Sequence, residues 1–270
     1  MKTKMLCAIY LVFIFIISLS ASFSGAISEI IYYSAFIIPI SLGLYCLYSR
    51  SKNKKNFNNE IFSVFKLGRK EALISLPLFF PSIAVVCLIS YLSAALMNSL
   101  GYDSSASPNE PFIIALALHA LIPAILEELL FRLIPMKLFE NEQKNAVLIS
   151  SLFFAFAHAN LFQIPYAFFA GIIFSFIYLL SGSIIPCIAL HFLNNCISLI
   201  SIYMGEDIIT VSVVSVLTAV SLIGIIKNKK IYSDTVSSIL NDKKTELHPS
   251  LFLFIFISIV LASSSVLPHN

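Results

Sequence analysis

Long apolar runs separated by short polar segments dominate the chain. Most of the nine runs approach the roughly 20 residues that an α-helix needs to cross the hydrocarbon core of a bilayer. The predicted helices are Met5–Leu19, Ile30–Tyr48, Ala72–Leu100, Pro111–Pro135, Ala146–Leu161, Tyr166–Leu180, Ile184–Tyr203, Ile208–Ile226 and Leu251–Val260. The pattern therefore predicts an all-α, polytopic transmembrane bundle of about eight to nine helices, which occupies residues 1–270 as a single unit.

The composition agrees with a membrane protein and excludes a soluble domain. Apolar residues make up 59% of the chain and charged residues 11%, whereas soluble domains are about 45–50% apolar and about 25% charged. The five cysteines lie in apolar runs and form no Cys-x-x-Cys pair. This placement argues against a disulfide framework and against a structural zinc site.

The charges between the helices predict the orientation of the chain. With a cytoplasmic N-terminus, every Lys and Arg except Arg132 falls on the inner side, and the outer loops hold only acidic charges. The inner segments hold Lys2 and Lys4, seven bases from Arg50 to Lys70, then Lys137 and Lys144, and five lysines between Lys227 and Pro249. Such a bias of basic residues marks the cytoplasmic side. The position of the basic loops on the cytoplasmic side of the bilayer accounts for their lysines and arginines. The net charge of +3 is therefore no sign of a nucleic-acid partner.

The first apolar run, Met5–Leu19, permits two interpretations. Lys2 and Lys4 before the run and small residues after it are typical of a secretory signal peptide. The apolar pattern resumes almost immediately, which favours a retained first helix. Removal of the run would leave the rest of the predicted topology unchanged.

Three of the predicted helices carry polar or ionisable side chains at helical spacing. Glu127, Glu128 and Arg132 lie in the fourth, His158 in the fifth, and His191 and Asn195 in the seventh. A charge near the bilayer centre costs about 2.5–3.5 kcal/mol, and such residues usually face the bundle interior or a water-filled cavity. Glu128 and Arg132 are four residues apart and can pair on one helix face. That pairing leaves Glu127 without a local counter-ion.

The depth of these residues predicts the length of the fourth helix. If the helix ended at Arg132, Glu127 would lie about 8 Å from its inner end, whereas His158 would lie about 20 Å deep. Extension of the helix to Phe139 moves Glu127 to about 18 Å. We therefore expect a long fourth helix that tolerates Pro135 as a kink, and a site reached from the cytoplasmic side.

The set of side chains is suited to hydrolysis of an amide bond. Glu127 can deprotonate a water that His158 orients, and His191 and Asn195 can donate hydrogen bonds to the developing oxyanion. Alternatively, Glu127, His158 and His191 can hold zinc, because two histidines and one glutamate form a known catalytic zinc set. Each polar position can also be a structural hydrogen bond between helices. No serine or cysteine is placed beside a base as an activated nucleophile.

The three motifs, in order, are Glu-Glu-x-x-x-Arg, Phe-x-x-x-His and His-x-x-x-Asn. This series resembles the CPBP (Abi) family of CAAX prenyl endopeptidases and bacteriocin-processing proteins, over about residues 111–200. The resemblance implies that Glu127 is the water-activating base and that His158 contacts the water. It places His191 and Asn195 on the oxyanion or metal side, with Glu128 and Arg132 as supporting residues. A divalent metal such as zinc and a metal-free mechanism are both compatible with it.

The sequence thus predicts an intramembrane endopeptidase that acts on a peptide or a membrane-associated protein. The alternatives are a non-proteolytic membrane scaffold or bacteriocin-immunity protein on the same fold, and a small proton-coupled transporter. Paired halves with broken helices would favour a transporter, and no such repeat is evident in the sequence. The Ile-, Asn- and Lys-rich composition indicates an AT-rich microbial genome and hence a bacterial plasma membrane. Prenylated CAAX substrates are not expected there.

Overall fold

Helices make up the whole regular structure of the described chain. A computed structural model describes residues 2–20, 22–99, 110–158, 160–204, 207–242 and 249–264, and these residues contain no β-strand. The ten helices are α1 (Lys2–Ser20), α2 (Gly25–Arg50), α3 (Phe57–Ser63), α4 (69–99), α5 (Phe112–Leu138), α6 (Gln143–Ala157), α7 (Ile164–Ser181), α8 (Ile185–Met204), α9 (Asp207–Leu240) and α10 (Ser250–Ser264). The predicted all-α class is confirmed.

Seven of these helices are long and apolar enough to cross a membrane. They are α1, α2, α4, α5, α7, α8 and α9. Helices α6 and α10 have 15 residues each, which is fewer than the roughly 20 residues that a full crossing requires. The polytopic bundle is therefore built from seven long helices and two shorter ones, where the sequence predicts eight or nine spans.

Two predicted helix ends differ from the structure in ways that matter for the bundle. The predicted eighth helix ends at Ile226, but α9 continues to Leu240. Tertiary hydrogen bonds hold this polar extension in place, because the Tyr232 hydroxyl donates to the Ile74 carbonyl at 2.7 Å and Ser238 bonds the Gln143 side chain at 3.0 Å. The predicted fifth helix reaches Leu161, but α6 ends at Ala157. The predicted loop 101–110 lies outside the described residues except for its last residue.

An aromatic cluster joins α1 to the centre of the bundle. Tyr10 is fully buried, and its ring lies 5.2 Å from that of Phe131 on α5, 4.0 Å from Phe153 on α6 and 6.2 Å from Phe254 on α10. The Tyr10 hydroxyl donates a hydrogen bond of 2.9 Å to the carbonyl of Leu130. This packing favours retention of the first apolar run as a helix of the bundle.

Helix α5 is long, as predicted, but it is irregular. Two π-helical segments, Leu116–Leu121 and Leu129–Leu133, interrupt it, and each is followed within two residues by a proline. Because proline has no backbone N–H, Pro135 cannot bond the carbonyl of Phe131 one turn earlier. The Ser150 hydroxyl of α6 donates to that carbonyl instead. A neighbouring helix thus satisfies the backbone group that the proline frees, as the membrane interior requires.

Helices α6 and α7 lie very close together at Gly171. A Cβ atom at this position would lie 2.8 Å from the Cα atom of Ser151. We therefore expect Gly171→Ala to force the helices apart and lower the free energy of unfolding by about 1–3 kcal/mol, as overpacking does elsewhere. Thermal unfolding in detergent micelles measures the effect. Phe169→Ala on the exposed face of the same helix is the control, and an equal loss in both variants would contradict the expectation.

Candidate active site

Five of the six candidate residues, all except Asn195, come together from three helices. Glu127 lies at the end of an α-helical segment of α5, directly before the π-helical segment that contains Arg132. His191 lies in the second turn of α8. The sequence places His158 in the middle of a helix, but it is the capping residue after the C-terminus of α6. The chain turns there because the Asn160 side chain accepts a hydrogen bond from the Phe162 N–H at 2.9 Å, which is an Asx turn.

One carboxylate oxygen is the centre of the site. Glu127 Oε2 lies 3.9 Å from His158 Nε2 and 3.8 Å from His191 Nε2. These distances are too long for direct hydrogen bonds. Among the described residues Oε2 is buried and has no hydrogen-bond partner. A single water about 2.8 Å from the carboxylate and from either ring nitrogen would fit such a separation.

The hydrogen bonds of the two rings determine their tautomers. His158 Nδ1 lies 2.7 Å from the carbonyl oxygen of Phe154, and a carbonyl can only accept. His191 Nδ1 lies 3.1 Å from Glu128 Oε1, a carboxylate oxygen that likewise accepts. Each Nδ1 therefore carries a proton, so that in its neutral form each ring has a bare Nε2 facing Glu127.

Glu128 and Arg132 form a buried ion pair behind His191. Both side chains are fully buried, and Arg132 Nε donates to Glu128 Oε2 at 3.1 Å. The pair predicted from the four-residue spacing is therefore present. Because Glu128 Oε1 receives the His191 Nδ1–H, the carboxylate links the guanidinium to the imidazole.

Two serines that sequence reasoning did not assign to the site hold the guanidinium. Arg132 Nη1 donates to Ser150 Oγ on α6 and to Ser175 Oγ on α7, the latter at 2.6 Å. Ser150 lies near His158 in the sequence, but no pattern distinguishes Ser150 or Ser175 from the other serines of apolar helices. The sequence gives only an indirect sign of the two serines. A buried guanidinium has five N–H donors and requires several acceptors, which hydroxyl groups on neighbouring helices can supply.

Aromatic rings form the walls around the two histidines. The Phe154 ring, one helical turn before His158, packs edge-to-face on His158 at 5.0 Å and on His191 at 5.5 Å. The Phe174 ring lies 5.3 Å from His191 on another side. The side chains of Glu127, His158 and His191 remain 14%, 20% and 5% exposed. The site is thus largely enclosed, with some access on the side of Glu127 and His158.

The turn before α8 fixes the start of the helix that carries His191. Gly182 ends α7 with a φ of +62°, a left-handed conformation that favours glycine. Ser183 Oγ and the Ile184 N–H then both donate to the carbonyl of Val64, at 2.9 and 2.8 Å. The segment after α3 therefore anchors α8 at its first turn.

Asn195 is the candidate residue for which the described part of the chain shows no hydrogen bond to the rest of the site. It lies one turn after His191 on α8 and is half-buried. Within the described residues it makes no hydrogen bond to Glu127, His158 or His191. Its expected part in the site stays a prediction.

The three central side chains match zinc in kind but not in spacing. Two imidazole nitrogens and a carboxylate form a suitable donor set. However, ligand atoms of a tetrahedral zinc ion at about 2.0–2.1 Å lie about 3.3 Å apart, and the Oε2–Nε2 separations here are 3.8 and 3.9 Å. Within the described ranges, no group of three His, Cys, Asp or Glu side chains is arranged to hold a metal ion.

The comparison with known families covers this same region. The family model for Rce1-like proteins, described as type II CAAX prenyl endopeptidases, matches residues 109–197. The match holds α5, α6, α7 and most of α8, and the remaining helices lie outside it. Neither a curated protein nor a solved structure matches the chain. The resemblance that the three motifs predict is confirmed, and over residues 109–197 this membrane protein is similar to the type II CAAX prenyl endopeptidases of the CPBP family.

Proposed function

We propose that the protein is an intramembrane endopeptidase in which Glu127 activates water for attack on a peptide bond. The observation that carries the proposal is the buried Glu127 Oε2, which has no hydrogen-bond partner among the described residues and faces two imidazole nitrogens. The family match supports a protease. At 1.5 Å per residue, Glu127 lies about 16 Å from the inner end of α5, within the membrane.

The proton of the attacking water goes to Glu127. The water donates one hydrogen to Glu127 Oε2 and the other to the bare Nε2 of His158, so its oxygen lone pair points away from both groups. As that oxygen bonds to the carbonyl carbon, the proton passes to Glu127. Glu127 then delivers it to the leaving amine as the C–N bond breaks, which yields a carboxylic acid and an amine.

We propose that His191 and Asn195 stabilise the oxyanion that develops on the substrate. The Asn195 amide can donate a hydrogen bond to the oxyanion without a change of charge. His191 can donate only when Nε2 also carries a proton, and Glu128 is the adjacent counter-ion for that form. Removal of water by the Phe154 and Phe174 walls strengthens each of these interactions.

The substrate class follows from the position of the site. A peptide or membrane-associated protein must enter between the helices and present a peptide bond in an extended segment to Glu127. For a chain in a bacterial plasma membrane, we propose that this substrate carries no prenyl group. Arg132 and Glu128 form a neutral pair behind the site, so they would not repel a substrate of either charge.

Proteolysis can be tested before a substrate is identified. The purified protein is reconstituted in lipid vesicles with solubilised membrane proteins, and newly formed peptide termini are identified by mass spectrometry. We expect termini that appear with the unaltered protein and are absent with Glu127→Gln. If both proteins give identical termini, the scaffold alternative is favoured and the peptidase proposal fails.

The same assay tests the proposal that no metal is required. Because the Oε2–Nε2 separations of 3.8 and 3.9 Å exceed the roughly 3.3 Å between the ligand atoms of a zinc ion, we propose that no metal is required and expect cleavage to persist after treatment with a membrane-permeant chelator such as 1,10-phenanthroline. Elemental analysis of the purified protein should find less than stoichiometric zinc. Loss of cleavage in chelator, with recovery on addition of zinc alone, would contradict this expectation while leaving the peptidase proposal intact.

A further inference from the structure

The two serines that contact Arg132 can only accept hydrogen bonds from it. The hydroxyl proton of Ser175 is donated to the carbonyl of Gly171 at 2.8 Å, and that of Ser150 to the carbonyl of Phe131. A carbonyl oxygen has no proton to give. Both hydroxyls therefore have a fixed rotamer that presents a lone pair to the guanidinium.

We propose that Ser150 and Ser175 are positioning residues that set the tautomer of His191 through Arg132 and Glu128. The serines both accept hydrogen bonds from Nη1 and thereby hold the guanidinium in the orientation in which Nε donates to Glu128. Glu128 in turn holds the proton of His191 on Nδ1, which leaves Nε2 bare in the neutral ring, and it is the counter-ion when Nε2 takes a second proton to bind the oxyanion. The kinetic consequence of this chain rests on the proposed function, whereas its effect on the tautomer does not.

The guanidinium needs these acceptors to keep its orientation. Arg132 is fully buried, and Nη2 has no hydrogen-bond partner among the described residues. The Phe174 ring also lies beside the group, with the guanidinium carbon 5.8 Å from the centroid. Without the serines, the group could rotate so that Nη1 or Nη2, rather than Nε, binds Glu128. The carboxylate would then shift relative to the His191 Nδ1–H.

The arrangement spans four helices, which explains why no single motif encodes it. Arg132 and Glu128 come from α5, Ser150 from α6, Ser175 from α7 and His191 from α8. Ser150 also compensates for Pro135, because it satisfies the Phe131 carbonyl. Ser175→Ala is therefore the better test. The Gly171 carbonyl lies inside the continuous helix α7, so it does not depend on the serine hydroxyl for a hydrogen-bond partner.

The kinetic test compares Ser175→Ala with a matched serine on the facing helix. Ser151 is equally buried, but its hydroxyl donates to the Val147 carbonyl and does not contact Arg132. We expect Ser175→Ala to lower kcat about 10–100-fold, as loss of a partner behind a functional histidine does in other enzymes. KM should stay within about twofold, Ser175→Thr should restore kcat, and Ser151→Ala should leave both constants unchanged.

A spectroscopic test reads the tautomer without any assay of proteolysis. The ring nitrogens of selectively ¹⁵N-labelled histidine give distinct chemical shifts when protonated and when bare. In the unaltered protein we expect a protonated Nδ1 for both His158 and His191. In Ser175→Ala the His191 signals should move towards a mixture of tautomers, while His158, which bonds the Phe154 carbonyl, should not change.

The outcomes separate the two proposals. If no cleavage is found for any protein but Ser175→Ala shifts the His191 signals, the proposed function fails and the positioning role stands. If Ser175→Ala keeps the His191 tautomer and the full kcat, the positioning role is overturned. If Ser175→Ala and Ser151→Ala lower thermal stability and kcat to the same extent, the serines act only on packing and the proposal is also overturned.

Discussion

Replacement of Glu127 by glutamine is expected to lower kcat by about 10²–10⁴-fold, the range for loss of a general base. The amide has almost the same shape as the carboxylate, but it cannot take the proton from water. Because Glu127 Oε2 has no hydrogen-bond partner among the described residues, the fold does not depend on its charge. The melting temperature of Glu127→Gln should therefore equal or exceed that of the unaltered protein. Cleavage rates and thermal unfolding in the same detergent measure both quantities.

The matched control for this variant is Glu60→Gln. Glu60 is exposed on α3 and pairs with Lys137 at 3.7 Å, and such surface pairs contribute about 0–1 kcal/mol. We expect no change in kcat for this control. Full activity in Glu127→Gln would exclude Glu127 as the base, and a parallel fall of kcat and melting temperature would point to a structural role.

Replacement of Arg132 by methionine is expected to destabilise the protein by about 3–5 kcal/mol, because it leaves the Glu128 carboxylate buried without its counter-ion. Both side chains are 0% exposed, so water cannot compensate for the loss. Arg132→Lys should recover part of the stability, since it keeps the charge but cannot reproduce the contacts to Glu128, Ser150 and Ser175. The free energy of unfolding in mixed micelles is the quantity to measure.

A double variant separates the charge effect from the catalytic effect. Glu128→Leu combined with Arg132→Met removes both charges, and such replacements of buried pairs are often neutral or stabilising. We expect the double variant to be more stable than Arg132→Met alone and to remain inactive, because His191 then lacks the acceptor at Nδ1. If the double variant is no more stable than the single one, the loss in Arg132→Met comes from packing.

Spacing along single helices makes much of the site predictable. The four-residue separation of Glu128 and Arg132 predicts their ion pair, and the same separation of Phe154 and His158 predicts their ring contact. If Glu127 and His158 lie at the same depth in the membrane, α5 must be long. In the structure α5 is long, and the two side chains approach to 3.9 Å. In each case the geometry depends only on the helical repeat.

Contacts between helices could not be predicted in the same way. Ser150 and Ser175 are two among many serines in this chain, and Ser34, Ser151 and Ser181 donate to the carbonyl four residues earlier in the same manner as Ser175. Only the packing of α6 and α7 on α5 distinguishes the ones that contact Arg132. The early end of α6 depends on a side-chain turn at Asn160, whereas the extension of α9 depends on contacts of Tyr232 and Ser238 with other helices.

The contact between Tyr10 and Leu130 bears on how the bundle assembles. The two residues are 120 positions apart in the chain, and the aromatic cluster around Tyr10 is complete only when Phe254 of α10 has joined it. Contacts between such distant segments slow folding, because a long loop must close before they form. During synthesis the Tyr10 hydroxyl therefore lacks its acceptor until α5 has been inserted. The aromatic cluster that packs against α5 and α6 is therefore complete only after α10 has been synthesised and inserted. A partly inserted chain lacks this packing behind Glu127.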